Sequence, residues 1–434
     1  MISVQRKSRI LVVLAIIMIT SFVTVVMPFT AVSQEKVTIQ WWHWIGWQKD
    51  LWAEAMEKFG KSQPNIRVVQ KIISQDHFWE ALRAGMLTGE GADVFNTVDG
   101  AQLVNHVAKG EVVDLATVMD DEWRAAINEP TMGIITESGV IATNPFCVNG
   151  MMVWYRKPIF EKNGFEVPVT MDELKDISLK LRAQGLIPMS LQTKIAERSA
   201  ELFLPFAHSM YPELAYAANQ ERKYELLMRE EFIDVWEAVY DYMITNKIAI
   251  EGSNGLGDLE AERPFAITKD AAMVYMGNWH TRTMREMNPE EFKDIQVFPF
   301  PAVNSWLKPL VPTGIAATAS ISSQSKHVKE AAEWIRWCTF NVPERLVRWI
   351  GLVPAGPIFS KAQVLQMARE ENNQVLPGFV AAMSGKTAYP IRKFWTNPEV
   401  HEAMHGALQG MFVGELTPRE AWSEANSIIS KVVD

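Results

Sequence analysis

Cysteine is scarce: the 434-residue sequence holds two, Cys147 and Cys338. That excludes a Cys-rich metal pattern and, because neither lies near the amino-terminal apolar segment, a diacylglycerol-thioether anchor. Two thiols so far apart fit a bridge in an oxidising compartment and two separately buried side chains equally well. A phosphate-binding loop, a nucleotide fingerprint and a serine nucleophile elbow are missing too. There is no internal repeat and no low-complexity tract. Basic charge is in deficit, with 42 Lys and Arg against 51 Asp and Glu and a formal net charge of -9. A nucleic-acid or anionic-membrane surface needs a basic patch, so no such partner is expected.

One long apolar run is present. Arg6, Lys7 and Arg9 precede the stretch Ile10 to Val26, and Pro28 leads into the small-x-small site Ala31-Val32-Ser33. This reads as a signal peptide, residues 1–33, cleaved before Gln34. The alternative is a retained membrane anchor, because the run is only slightly short of the ~20 residues of a spanning helix. Either reading places the remainder outside the cytoplasmic membrane, in the periplasm or its equivalent. Cleavage would move the formal charge from -9 to about -12. The whole sequence is 48% hydrophobic and 21% charged, the composition of an ordered soluble protein. Its ~400 residues exceed one hydrophobic core, so two domains are expected.

Strand and helix signals then alternate. Val37 to Trp44 reads as a strand, and Leu51, Trp52, Ala55, Met56 and Phe59 recur at helical spacing until Gln63-Pro64-Asn65. Ile66 to Ile73 is a second strand. A helix carrying Phe78, Trp79, Leu82 and Met86 follows, then a third strand over Ala92 to Thr97. Such units indicate an open parallel sheet with helices on both faces, an α/β class whose ligands sit at the carboxyl ends of strands. A second unit begins near Phe146, with a strand over Val148 to Tyr155. Thr170-Met171-Asp172-Glu173 is a capping box for a helix running to Gly185. Further on come helices at 196–209 and 229–245, a loop at 254–258, and a strand over 271–276 before Gly277-Asn278-Trp279-His280.

This order of segments resembles the extracytoplasmic solute-binding proteins of ABC importers, in the carbohydrate-binding group that includes maltose-binding protein. The most specific stretch is MVWYRKPIFEKNGFEVPVTMDELKDISLKLRAQGLIP, Met152 to Pro188. ADVFNTVDGAQL, AITKDAAMVYMGNWH, the Phe298-Pro299-Phe300-Pro301 turn, KEAAEWIRWCTFNVPERLVRWIGLVPAG and TPREAWSEANSIISKVVD follow in the same order. The resemblance covers essentially the whole mature chain. It implies two α/β lobes, 34–145 plus 310–350 and 146–309 plus 351–434, with a hinge between them and one ligand site in the cleft. It further implies a sugar ligand, membrane permease subunits as partners, a monomer, no cofactor and no turnover.

Tryptophan suits that task, because an indole offers an apolar platform for the C–H face of a sugar ring and one N–H for its rim. VTIQWWHWIGWQ, Val37 to Gln48, places four tryptophans and a histidine within seven residues. Strand alternation sends Trp41 and His43 to one face and Trp42 and Trp44 to the other. By resemblance the site is expected to take Trp42, His43 and Trp44 from this segment, Asp99 from the loop after the third strand, and Tyr155, Trp279 and Trp395. Each also has a plain reading, as core packing for the aromatics and a turn residue for Asp99. Gly277 is expected to let the backbone approach the ligand. Trp41, Trp47, Trp52, Trp334, Trp337 and Trp349 are expected in the core. An anionic solute such as a glycerol phosphodiester would need converging Arg or Lys, and none is concentrated beside these tryptophans.

Two enzyme readings compete. His401-Glu402-Ala403-Met404-His405 spells the H-E-x-x-H of zinc peptidases, which on a helix sets both imidazoles on one face. A third ligand would be Glu420 or Glu424, since Leu408 and Met411 replace the metzincin Gly and His. The plain reading is a helix near the carboxyl end with two unrelated histidines, and no metal is expected. A glycosidase would need two carboxylates flanking the cleft.

Overall fold

The structure is a computed structural model that describes residues 36–136 and 139–433. The expected signal peptide lies outside the described residues. Ten strands follow in chain order: β1 (Val37–His43), β2 (Ile66–Ile72), β3 (Val94–Phe95), β4 (Asn144–Arg156), β5 (Ile187–Ser190), β6 (Ala271–Gly277), β7 (Ile295–Phe298), β8 (Leu310–Ile321), β9 (Val353–Pro354) and β10 (Tyr389–Arg392). Local chemistry accounts for many element ends. In the helix Lys49–Ser62, Leu51, Trp52, Ala55 and Phe59 are the buried face, as their spacing requires. Thr170 and Glu173 close a full capping box on the helix Met171–Ala183, and Gly185 beyond it adopts φ +79°, open to a residue without Cβ.

The sheet runs β2-β1-β3-β8-β4-β6-β5. β1 pairs in parallel with β2 and β3, but β3 pairs antiparallel with β8, through Val94↔Ile321 and Phe95↔Ser320. The purely parallel sheet expected from strand–helix alternation is therefore mixed. The reason is topological: β8 returns to the first sheet from the other half of the protein instead of being delivered by a crossover helix.

Val37–Asp434 forms one compact unit, yet it holds two principal cores. The first gathers Ile39, Trp41, Trp52, Phe59, Phe146, Ile315, Ile321, Trp334 and Ile350. The second gathers Met151, Val153, Phe203, Trp236, Tyr275, Leu310 and Trp395, and Met152, Trp154, Val274 and Phe379 pack on the opposite face of its strands. β4 and β8 pass between them as an antiparallel pair, from Asn144↔Ala319 to Gly150↔Thr313. Their side chains change core between Cys147 and Met151, and between Val311 and Ile315. Cys147 and Cys338 both lie in the first core as free thiols, and burial pushes both thiols up. No helix among the described residues is long and apolar enough to cross a membrane.

Candidate functional site

β6 ends in a tight turn, Asn278–His280, that presents Trp279. A Cβ at Gly277 would lie 2.0 Å from the Trp279 ring, so this glycine makes room for the indole to fold back over its own strand end. Asn278 holds the turn in place: its Nδ2 donates to the Gly351 carbonyl at 3.0 Å and its Oδ1 accepts from the Gly150 N–H at 3.2 Å. Trp279 remains partly exposed and packs against both cores. It stands where the two halves meet.

Charged groups converge on it from distant segments. The Arg198 guanidinium lies 4.9 Å from the Trp279 ring and the Lys393 ammonium 5.4 Å. Arg198, on the helix Ala196–Met210, donates to both Asp258 carboxylate oxygens at 2.8 Å and to Glu201 Oε2 at 2.7 Å. His280 continues the chain to Asp258 at 3.3 Å and to Glu262. Lys393, almost wholly buried, donates to Asn149 Oδ1 at 2.9 Å and stands 3.8 Å from Glu201 Oε1. Gly314 on β8 is required here, because a Cβ would fall 2.2 Å from Lys393 Cε and 2.6 Å from Asp99 Oδ2. Next to Asp99, Gly100 takes φ +75°, and the N–H of Ala101 donates to the Trp395 carbonyl at 3.1 Å. The Trp395 indole is fully buried, its Nε1 without a hydrogen-bond partner among the described residues.

Burial opposes the charge on Asp258, Glu201 and His280, and pairing offsets it to different extents. At Asp258, Arg198 outweighs burial and holds the carboxyl well below the usual range. At Glu201 burial wins over the nearby cations and the carboxyl is pushed up. At His280 burial is overcome by Glu262 and Asp258, which lift the imidazole to about 9. His43 and His208 lack such compensation, and desolvation lowers both to about 4.

These shifts predict a stability maximum near neutral pH. His280, raised above its unfolded value, contributes stability that is present below about pH 6.5 and lost as pH rises through about 9. Buried neutral His43 and His208 penalise the folded state as pH falls from about 6.5 towards 4. Each contribution is on the order of 3 kcal/mol. Urea unfolding from pH 4 to 10 should give a peaked profile, and His280→Gln should flatten its alkaline limb. An alkaline limb unchanged by that substitution contradicts the assignment.

Of the seven residues expected from the sequence, the structure brings together Asp99, Trp279 and Trp395. Trp42 packs on the helix Gln75–Thr88, with Lys71 Nζ 3.8 Å from its ring centroid. Trp44 meets Phe78 edge-on at 4.8 Å. His43 is fully buried, hydrogen-bonded to Gln70 at 3.0 Å and set 4.7 Å from the Trp41 ring on the same face of β1. Tyr155 packs between Phe160 and Phe298, its hydroxyl donating to Gln296 at 3.4 Å. Trp47, expected in the core, is 40% exposed. Sequence reasoning missed Arg198, Glu201, Asn149 and Lys393. For the first two a signal existed, an i,i+3 charge pair directly ahead of the apolar run 202–207 in the helix Ala196–Met210. Two cations do reach Trp279, contrary to the expectation, with the Asp258 and Glu201 carboxyls beside them.

His401 and His405 sit one turn apart on the helix Pro398–Val413. His405 Nδ1 is 2.9 Å from Ser199 Oγ, His401 is buried beside Phe394, and burial lowers both imidazoles. Among the described residues no group of three or more His, Cys, Asp or Glu is arranged to hold a metal ion.

The sequence pattern of the bacterial extracellular solute-binding protein family matches residues 46–342. The chain belongs to this family. Among the relatives of this solute-binding protein, an uncharacterized ABC transporter extracellular-binding protein of Pyrococcus horikoshii is 24% identical over 168 residues, 36% of this chain and 37% of that one. A multiple sugar-binding protein of Streptococcus mutans is 22% identical over 71% of this chain and 72% of its own. The crystal structure of an ABC transporter solute-binding protein from Thermotoga lettingae, bound with α-D-tagatose, superposes with a TM-score of 0.76 at 18% identity, over 92% of this chain and 100% of that one. The fold is thus the two-lobe solute-binding fold, each lobe a sheet flanked by helices with a hinge between.

Proposed function

We propose that this solute-binding protein captures a mono- or oligosaccharide outside the cytoplasmic membrane and delivers it to the permease subunits of an ABC importer. The supporting observation is Trp279, an indole held between the two cores with the fixed Arg198 and Lys393 cations facing its ring. A platform for C–H groups beside charged hydrogen-bond partners is what a neutral polyol ring requires. In this reading Trp279, Trp395, Asp99, Asn149 and Lys393 meet the ligand, while Trp42, His43, Trp44 and Tyr155 brace the strands behind them. The lobes are 34–145 plus 310–350 and 146–309 plus 351–434, and β4 and β8 are two of the hinge segments. The protein works as a monomer after removal of residues 1–33, and it releases its sugar unaltered. The sugar-binding relative from Streptococcus mutans and the tagatose-bound neighbour support the ligand class.

The test is tryptophan fluorescence and melting temperature of the mature, metal-free protein against a panel of mono- and oligosaccharides. A sugar at 100 times its Kd should stabilise the native state by about 2.7 kcal/mol. Silence across the panel with a response to zinc would move the function to His401, Glu402 and His405.

A further inference from the structure

Arg282 joins two parts of the molecule that belong to different cores. It lies on the short helix Thr281–Met287 that starts directly after the Trp279 turn, and Met284 of that helix packs with Met152 and Trp154 in the second half. The Arg282 side chain points the other way. Its Nη1 donates to the Trp47 carbonyl at 2.5 Å, in the turn that follows β1. Its guanidinium carbon lies 3.6 Å from the centroid of Trp349, a ring that packs on the first core. Glu286, four residues on, accepts from Nε at 2.6 Å and fixes the direction of the fork. Arg345 faces the same ring at 5.2 Å. The side chain is 19% exposed.

We propose that Arg282 is a positioning residue that latches the closed cleft and thereby sets how long the ligand stays. The idea rests on the reading above of two lobes hinged about a ligand cleft, taken to close on the ligand. It is carried by three contacts of one side chain: a charge-assisted bond to a backbone carbonyl, which no substitution at position 47 other than proline-like distortion of the turn removes, a stacked cation on Trp349, and an anchor on its own helix. The bond to the Trp47 carbonyl is made only while the Trp279 turn and the β1 turn are adjacent. The Trp349 contact is to the helix Pro343–Ile350, whose Trp349 carbonyl also accepts from Arg285 Nη2 at 3.1 Å. When the halves separate, the Trp47 bond is lost and that side of the guanidinium is hydrated instead. A group whose contacts exist only in one state shifts the equilibrium towards that state by its differential interaction. Because Arg282 acts on the bound, closed form and not on encounter, its loss appears in dissociation. Lysine keeps the charge but not the planar fork, so it restores only part of the effect.

The experiment has two arms. In the first, stopped-flow tryptophan fluorescence with the sugar found in the panel compares wild type, Arg282→Ala, Arg282→Lys and Trp349→Leu. Arg282→Ala is expected to raise the dissociation rate about tenfold with the association rate changed less than twofold, Arg282→Lys to lie between, and Arg282→Ala in the Trp349→Leu background to add less than it does alone. The second arm needs no ligand. Spin labels at Lys61→Cys and Glu161→Cys, whose parent side chains are 73% and 62% exposed, report the separation of the halves by pulsed dipolar spectroscopy. Cys147 and Cys338 are buried and escape labelling. Arg282→Ala should move the population towards longer distances. An unchanged distance distribution together with an unchanged dissociation rate overturns the latch. A silent sugar panel with a shifted distribution overturns the sugar reading and leaves the latch standing. A variant that loses helical signal in circular dichroism is replaced by Arg282→Met, which keeps the stem.

Discussion

Replacing Trp279 by alanine is expected to weaken carbohydrate binding about a hundredfold, ~2.7 kcal/mol, the scale of a central aromatic anchor. The ring is the one large apolar surface that the turn Asn278–His280 presents at the meeting of the cores, and Arg198 and Lys393 are arranged around it. Gly277→Ala offers a sharper form of the same expectation. It leaves the indole in the sequence but puts a methyl 2.0 Å from its present position, so the ring must move. Calorimetric titration should show both variants losing a similar share of affinity, while Trp279→Phe keeps part of it. A Gly277→Ala protein that binds like wild type would show that the placement of the ring is unimportant.

The second large effect is on stability. Arg198 is buried against Asp258 and Glu201, and two opposing contributions meet there. Taking the three charges out of water is costly, and their mutual attraction offsets that cost only while all partners are present. Arg198→Met removes the cation and leaves Asp258 without its two 2.8 Å donors. The loss should be about 3–5 kcal/mol in urea unfolding at pH 7, the range seen when one member of a buried pair is deleted. The exposed pair Lys58–Glu54, at 2.8 Å with side chains 63% and 44% exposed, provides the contrast: Lys58→Met should cost less than about 1 kcal/mol. Equal effects at the two sites would show that burial does not govern these pairs.

These residues also show what the sequence does and does not reveal. The helix Lys49–Ser62, the capping box at Thr170 and the strand before Trp279 were legible because their signals lie within a few residues of one another. β5, β7, β8, β9 and β10 were not: all but β8 are four residues or fewer, and each gains its pairing from a strand far away in the chain. The same distinction divides the site. Trp279 and Trp395 announce themselves as aromatics beside turn residues. Lys393 and Arg198 look like surface cations, and only the fold discloses that Asn149, Glu201 and Asp258 receive them. Trp42 and His43 stood out by their clustering, yet one packs on a helix and the other pairs with Gln70. A run of aromatics at the end of a strand marks packing as readily as recognition.

The passage of β8 into the first sheet also has a temporal meaning. Thr97 and Thr318 exchange hydrogen bonds across 221 positions of chain, and the first core contains Trp334 and Ile350. While the ribosome is still adding residues before β8, the amino-terminal segment lacks both an interior strand of its sheet and much of its hydrophobic interior. Long-range closure of this kind is slow, because loop entropy must be lost before the contacts form. The growing chain therefore reaches most of its length before its first lobe can condense.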